Sequence, residues 1–103
     1  MSVTGIRQDI EWEDYIKSIG ENLRRYRKQL KLSQAEVARA AKISKVQYQR
    51  IESGGFNDTL SPNPTSRTLI ALAEVLDVDL EHLLPKPWPD LREHGKRDIS
   101  AKE

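Results

Sequence analysis

Cysteine is absent from this chain, which removes disulfide scaffolds, thiol nucleophiles and thiolate metal sites from consideration. Long hydrophobic runs are missing too: none approaches the roughly 18 residues of a membrane helix. The N-terminus lacks the charged-then-apolar order of a signal peptide. These absences lead us to expect a soluble, cytoplasmic protein with no membrane partner. No segment alternates apolar with polar residues as a half-buried strand would, and neither an internal repeat nor a long low-complexity tract is present. Aromatic residues are 6% and apolar residues 37% of the 103 positions, against 32% charged. That composition fits one domain with a small core, whose stability is marginal without a partner or a second copy.

Catalytic constellations are also lacking. His82 and His94 fall in a helix turn and a tail, without HExxH or comparable ligand spacing, and no Gly-rich phosphate loop occurs. Asp79 and Glu81 beside His82 read as a helix cap and a solvated face. The expectation is a protein that is not an enzyme and takes no cofactor and no metal.

What is present is a charge pattern hidden by the net value of +1. Residues 1–20 carry four acids and two bases. Residues 21–54 carry nine bases and three acids, for +6, and residues 55–84 carry one base, Arg67, and five acids, for −4. A basic stretch between acidic ones points to a polyanion met by one face.

Apolar spacing then places the helices. Trp12, Ile16, Ile19, Leu23, Tyr26 and Leu30 recur every three or four residues, the stripe of an amphipathic helix. Gly20 lies inside it, so the pattern allows one long helix or two segments meeting there. Ser33-Gln-Ala-Glu36 and Ser44-Lys-Val-Gln47 are capping boxes eleven residues apart, opening two short helices with a tight turn between them. The first buries Val37, Ala38 and Ala41. The second buries Tyr48 and Ile51 and stops at Gly54-Gly55. Residues 55–64 read as a loop, with Phe56 and Leu60 expected to fold back on the core ahead of touching a polyanion backbone or meeting a partner. Thr65 or Ser66 caps a helix with Leu69, Leu72, Ala73 and Leu76 inside. Asp79 caps a last short helix, which Pro85, Pro87 and Pro89 cannot continue. The fold class is all-α, with five short helices.

Two short helices joined by a turn of three to four residues form a helix-turn-helix, and the run SQAEVARAAKISKVQYQRIESGG resembles the Cro/phage-repressor (Xre-type) helix-turn-helix family. The carriers are Ile19-Gly20, Leu23-Arg24, Ser33-Gln34, Val37-Ala38, Ala41, Ile43-Ser44, Arg50-Ile51-Glu52 and Gly54, then Asn63-Pro64, Leu69, Ala73, Leu76, Val78 and Leu83-Leu84. The resemblance implies a five-helix, lambda-repressor-like DNA-binding domain over residues 19–84. A helical N-terminal extension would occupy 1–18 and a short, Pro-rich, partly disordered tail 85–103.

In such an arrangement the second helix of the pair enters the major groove while the first crosses the backbone. By resemblance, base reading falls on Lys45, Val46, Gln49 and Arg50, and backbone contact on Gln34, Ser44, Gln47 and Lys42. Arg50 also has Glu52 and Glu36 within reach as alternative partners. Three departures stand out. Lys42 occupies the turn position where the family usually has glycine, so lysine there must accept a left-handed or adjusted backbone at some cost. The 55–62 loop is longer than usual, and the stretch before Ile19, with Trp12 and Tyr15, is extra. The implied function is a sequence-specific, double-stranded-DNA-binding transcriptional repressor acting as a homodimer on a pseudo-palindromic operator. Leu80, Leu83, Leu84 and Trp88 would form the dimer interface. The competing reading is an antitoxin or adaptor that mainly binds a protein partner, such as a toxin, through the added segments.

Overall fold

A computed structural model describes residues 7–55 and 60–92 of the chain. In chain order they form β1 (Arg7–Gln8), α1 (Trp12–Gln29), α2 (Gln34–Ala41), α3 (Lys45–Ser53), α4 (Ser66–Leu76), α5 (Leu80–Leu83) and β2 (Trp88–Pro89). The helices carry the fold, as expected. The added feature is a two-residue parallel pairing of β1 with β2, Arg7 opposite Trp88 and Gln8 opposite Pro89. Two residues are too few to display an alternating pattern, so this pairing leaves no signature in the sequence.

α1 runs unbroken through Gly20. Its inner stripe of Tyr15, Ile16, Ile19 and Leu23 meets Val37, Ala38 and Ala41 of α2, Tyr48 and Ile51 of α3, Leu72, Ala73 and Leu76 of α4, and Leu83 of α5 in one core. Each large side chain sealed there contributes about 1.5–3 kcal/mol of transfer free energy. Gly20 explains why this helix tolerates a glycine. A Cβ at that position would collide with the Glu52 carbonyl oxygen and lie 2.9 Å from the Ile51 carbonyl oxygen, both on α3 backbone. The missing side chain is what lets α1 and the end of α3 touch.

Each of the first four helices ends on a left-handed residue: Lys31 (φ 58°) just beyond α1, Lys42 (φ 62°) after α2, Gly54 (φ 72°) after α3 and Asp77 (φ 58°) after α4. In each case the next N–H reaches five residues back: Leu32 to Arg27, Ile43 to Ala38, Gly55 to Arg50 and Val78 to Ala73, at 3.0–3.2 Å. This is the Schellman closure, which satisfies carbonyls the helix leaves open. Glycine fills the position once; the other three side chains accept a conformation that costs L-residues roughly 1–2 kcal/mol. At the N-termini, Ser33 completes its capping box with Glu36, Ser44 Oγ accepts from Gln47 N–H, and Thr65 rather than Ser66 caps α4. Asp79 occupies the N-cap of α5 without a side-chain cap bond.

Aromatic residues in the described part of the added segments pack on the protomer itself. Tyr15 is buried, its hydroxyl donating to the Pro85 carbonyl at 2.9 Å. Burial pushes its phenol pKa up to about 12, so it stays a donor. The Trp12 indole N–H donates to the Pro62 carbonyl at 2.9 Å. Two expectations are corrected here. Leu83, placed at a dimer face from sequence, is fully buried, because one turn of α5 aims it inward to close the core below α1. Leu60, expected to fold back, is 72% exposed; its backbone rather than its side chain is held, through its carbonyl. Phe56 lies outside the described residues.

Candidate nucleic-acid interface

The site begins with the turn between α2 and α3. Lys42 takes the left-handed conformation (φ 62°, ψ 43°) that its position in the turn demands, with its side chain exposed. Ile43 packs against the core, and Ser44 starts α3 at once. Because Tyr48 and Ile51 face inward, Lys45, Val46, Gln47, Gln49 and Arg50 stand outward, Val46 with 72% of its surface in solvent. An isolated apolar side chain so exposed has no packing role in the protomer.

Gln34, at the first turn of α2, lies beside α3: its Oε1 accepts from Gln49 Nε2 at 3.1 Å. Two residues assigned from sequence to different roles thus meet, one from each helix of the pair. Arg50 donates through Nη2 to the Leu60 carbonyl at 2.8 Å. The partners weighed for it in the sequence, Glu52 and Glu36, are engaged elsewhere. Glu36 accepts from Ser33 N–H at 2.7 Å in the capping box.

Glu52 takes Arg27 of α1 in a bidentate pair, Nε to Oε1 at 3.0 Å and Nη2 to Oε2 at 2.8 Å, while Arg27 Nη1 caps the Leu32 carbonyl at 2.9 Å. The two side chains are only 12% and 6% exposed. Burial alone would raise the Glu52 carboxyl pKa; bonds from Arg27, and contacts with Tyr48 and Gln34, outweigh it and hold the group below its ordinary range. The same pairing holds the Arg27 guanidinium above its ordinary range. The Tyr48 hydroxyl is buried beside this pair without a hydrogen bond of good geometry, and burial raises its pKa. A buried, bidentate, charge-assisted pair fixes register between α1 and α3 more than it adds net stability. α3 is therefore clamped: Gln34 holds its outer side, and Arg27 with Gly20 hold its end.

Sequence reasoning missed two contributors. Arg67 of α4 donates from Nη1 to the Ala41 carbonyl at 3.2 Å, closing the C-terminus of α2 beside the turn. Its signal was visible, since it is the single base in residues 55–84. Leu60, as a backbone acceptor for Arg50, had no signal, because any residue supplies a carbonyl. Away from α2 and α3, Glu74, Asp77 and Asp79 line a shallow depression with Tyr26, Val78 and His82. Among the described residues, no cluster of three or more His, Asp or Glu side chains is placed to hold a metal ion, and no helix is long and apolar enough to cross a membrane.

A capped helix, a tight left-handed turn and a second capped helix with an outward polar and basic face make the helix-turn-helix arrangement, and the helix-turn-helix family profile matches residues 23–83. The chain belongs to the helix-turn-helix family. The resemblance to the Xre-type branch, read from residues 19–84, stands on the same ground. Over 64 residues this helix-turn-helix protein is 39% identical to the uncharacterized HTH-type transcriptional regulator YqaE of Bacillus subtilis (strain 168), a stretch covering 62% of this chain and 50% of YqaE. It thus spans about half the length of that curated relative. Among solved structures, the restriction-modification controller protein C.AhdI from Aeromonas hydrophila superposes with a TM-score of 0.58 at 24% identity, covering 66% of this chain and 94% of that one. At that identity the likeness speaks to the helical fold.

The proposed dimer residues of this helix-turn-helix protein divide. Leu80 is 38% exposed, whereas Leu84 and Trp88 are half-buried against the core. The Trp88 indole N–H donates to its own Leu84 carbonyl at 2.9 Å, and the Lys86 ammonium lies 5.2 Å from its ring centre. Trp88 thus serves first as a cap on its own protomer.

Proposed function

We propose that the protein is a sequence-specific, double-stranded-DNA-binding transcriptional regulator, not an enzyme, and that it represses by occupying a pseudo-palindromic operator as a homodimer. The observation that carries this reading is the outward face of α3. Lys45, Val46, Gln49 and Arg50 supply donors for guanine, an amide for adenine and a methyl-sized apolar surface for thymine. They project from a helix clamped at its side and its end. Gln34, Ser44, Gln47 and Lys42 flank it as backbone contacts, with Gln34 near the start of α2, where helix N–H groups favour phosphate. The name of the Bacillus subtilis relative agrees with this reading. Against the protein-adaptor alternative, the polar groups of Trp12, Tyr15 and Trp88 in the added segments find partners within the protomer.

A single recognition helix reads too few base pairs to select one genomic site, and pairing on half-sites about 34 Å apart supplies the rest. With Leu83 spent on the core, the dimer surface contracts to exposed Leu80 and the outer edges of Leu84 and Trp88.

Selection from a random duplex pool, followed by titration of the selected site, tests the proposal. Affinity should fall steeply between about 50 and 200 mM salt, because log K drops by roughly 0.9 per neutralised phosphate for each decade of salt. Gln34→Ala should weaken all duplexes, with any loss of base preference confined to the position read by Gln49, and Arg50→Ala should relax one base position by about 1–3 kcal/mol. No selected sequence together with salt-independent binding would overturn the proposal. For the dimer, sedimentation should give a dimer that Leu80→Asp converts to folded monomer; a wild-type monomer both alone and on the selected site would refute it.

A further inference from the structure

We infer that Trp12, at the start of α1 and outside the helix-turn-helix, is a positioning residue for Arg50. It acts through the backbone of the connection that follows α3. The inference rests on the reading that α3 faces DNA bases, and it assigns the long connection a part in that reading.

Three contacts form the chain. The Trp12 indole N–H donates to the Pro62 carbonyl at 2.9 Å. Pro62 is fully buried and seated on Gly55, so closely that a Cβ on Gly55 would lie 2.5 Å from the proline Cδ. Two residues earlier, the Leu60 carbonyl accepts from Arg50 Nη2 at 2.8 Å. Trp12 is itself fixed, its ring 6.0 Å from that of buried Tyr15, whose hydroxyl is tied to Pro85. A rigid anchor thus holds a short stretch of backbone, and that backbone holds the guanidinium.

An unrestrained arginine samples many rotamers and loses that freedom when it binds. Guanidinium is planar, so a bond from Nη2 to a fixed carbonyl restricts the directions in which its remaining N–H groups can point. A fork set in advance discriminates a guanine edge from other bases better than one that swings to find any acceptor. This also accounts for Leu60 standing 72% exposed: what the protein uses there is the carbonyl, not the side chain. The tryptophan N–H is the part of Trp12 that packing does not require, since the half-buried ring would fill its place without it.

Trp12→Phe keeps an aromatic ring and deletes the N–H. Binding is measured to the selected duplex, to its single-base-pair variants and to an unrelated duplex. Arg50→Ala should cut discrimination at one base pair by about 5–150-fold, the equivalent of roughly 1–3 kcal/mol. Trp12→Phe should relax that same base pair by several-fold, short of the Arg50→Ala loss, while the other positions, the unrelated duplex and the melting temperature hold. Pro62→Ala, which leaves α1 intact and frees the connection, should relax the same position, and it serves if Trp12→Phe folds poorly. Wild-type discrimination in both variants while Arg50→Ala loses it would overturn the inference, as would a uniform loss across all duplexes. If Arg50→Ala itself relaxes no base pair, Arg50 does not read a base and the inference fails, while the reading of α3 still stands on the selected sequence.

Discussion

Replacing Gly20 with alanine reverses the sign that helix propensity alone assigns. In the interior of an isolated helix, Gly→Ala stabilises by roughly 1 kcal/mol. Here the new Cβ would meet the Glu52 carbonyl, with the Ile51 carbonyl oxygen and Glu52 carbonyl carbon each at 2.9 Å. All three are backbone atoms, so no rotamer change relieves the contact, and α1 and α3 must move apart. Overpacking of this kind costs typically 1–3 kcal/mol. The displacement also strains the bidentate bonds of 2.8 and 3.0 Å between Arg27 and Glu52, which favours the upper part of that range. The net expectation is a loss of about 1–2 kcal/mol, which lowers the melting temperature of a domain this size by roughly 4–16 °C. Thermal unfolding followed by helical circular dichroism measures it. A variant that melts above wild type would show that propensity wins and that the two helices do not depend on close contact at this residue.

Two further outcomes follow from named contacts. Glu52→Gln, which leaves the Arg27 guanidinium without its carboxylate, should cost roughly 1.5–3 kcal/mol at neutral pH. The Glu52 pKa is held below its ordinary 4.5 in the folded protein, so the stabilisation is present above that value and disappears as pH falls through the lowered pKa. The gap between wild type and variant should therefore close on acidification in denaturant titrations; a constant gap would refute the ion pair as its source. Lys42→Gly should be neutral or stabilising by up to about 1 kcal/mol, because relief of the left-handed strain is partly offset by glycine's entropy, whereas Lys42→Val should destabilise. Equal melting temperatures for the two variants would count against a strained turn.

The helices were legible where chemistry is local. The Ser33-Glu36 box and the Ser44 cap both mark real helix starts, since a hydroxyl three residues before the N–H it accepts from needs no tertiary partner. The inward stripe of Tyr48 and Ile51 exposed the outward one by subtraction. Helix ends are harder to see where Lys31 and Asp77 do what glycine usually does; Lys42 was legible because the capping box that follows confines its turn. Gly20 was ambiguous for a related reason: its role is defined by Glu52, thirty-two positions away. Leu83 was misplaced because a single helical turn has no stripe long enough to distinguish inside from outside. Within the site, side-chain types and their exposure could be read in advance. The Gln34–Gln49 and Arg50–Leu60 bonds could not, because a side-chain amide or a backbone carbonyl is an acceptor wherever the fold happens to bring it.

The segments that depart from the family's usual pattern work on one another rather than independently. β1 pairs with β2, Tyr15 bonds Pro85, and Trp12 bonds Pro62, so the start of the described chain reaches both the tail and the connection after α3. A core this small gains from each such closure, because it buries aromatic surface that the five helices alone leave uncovered. The same closures carry position. Arg27 and Gly20 fix the end of α3, Gln34 braces its side, and the connection braces Arg50 from beyond it. The outward face of α3 is thus held by α1, by α2 and by the added segments together. Rigid presentation of a few polar side chains is what discrimination between bases requires, and here the residues that supply it are mostly ones that would never touch the DNA.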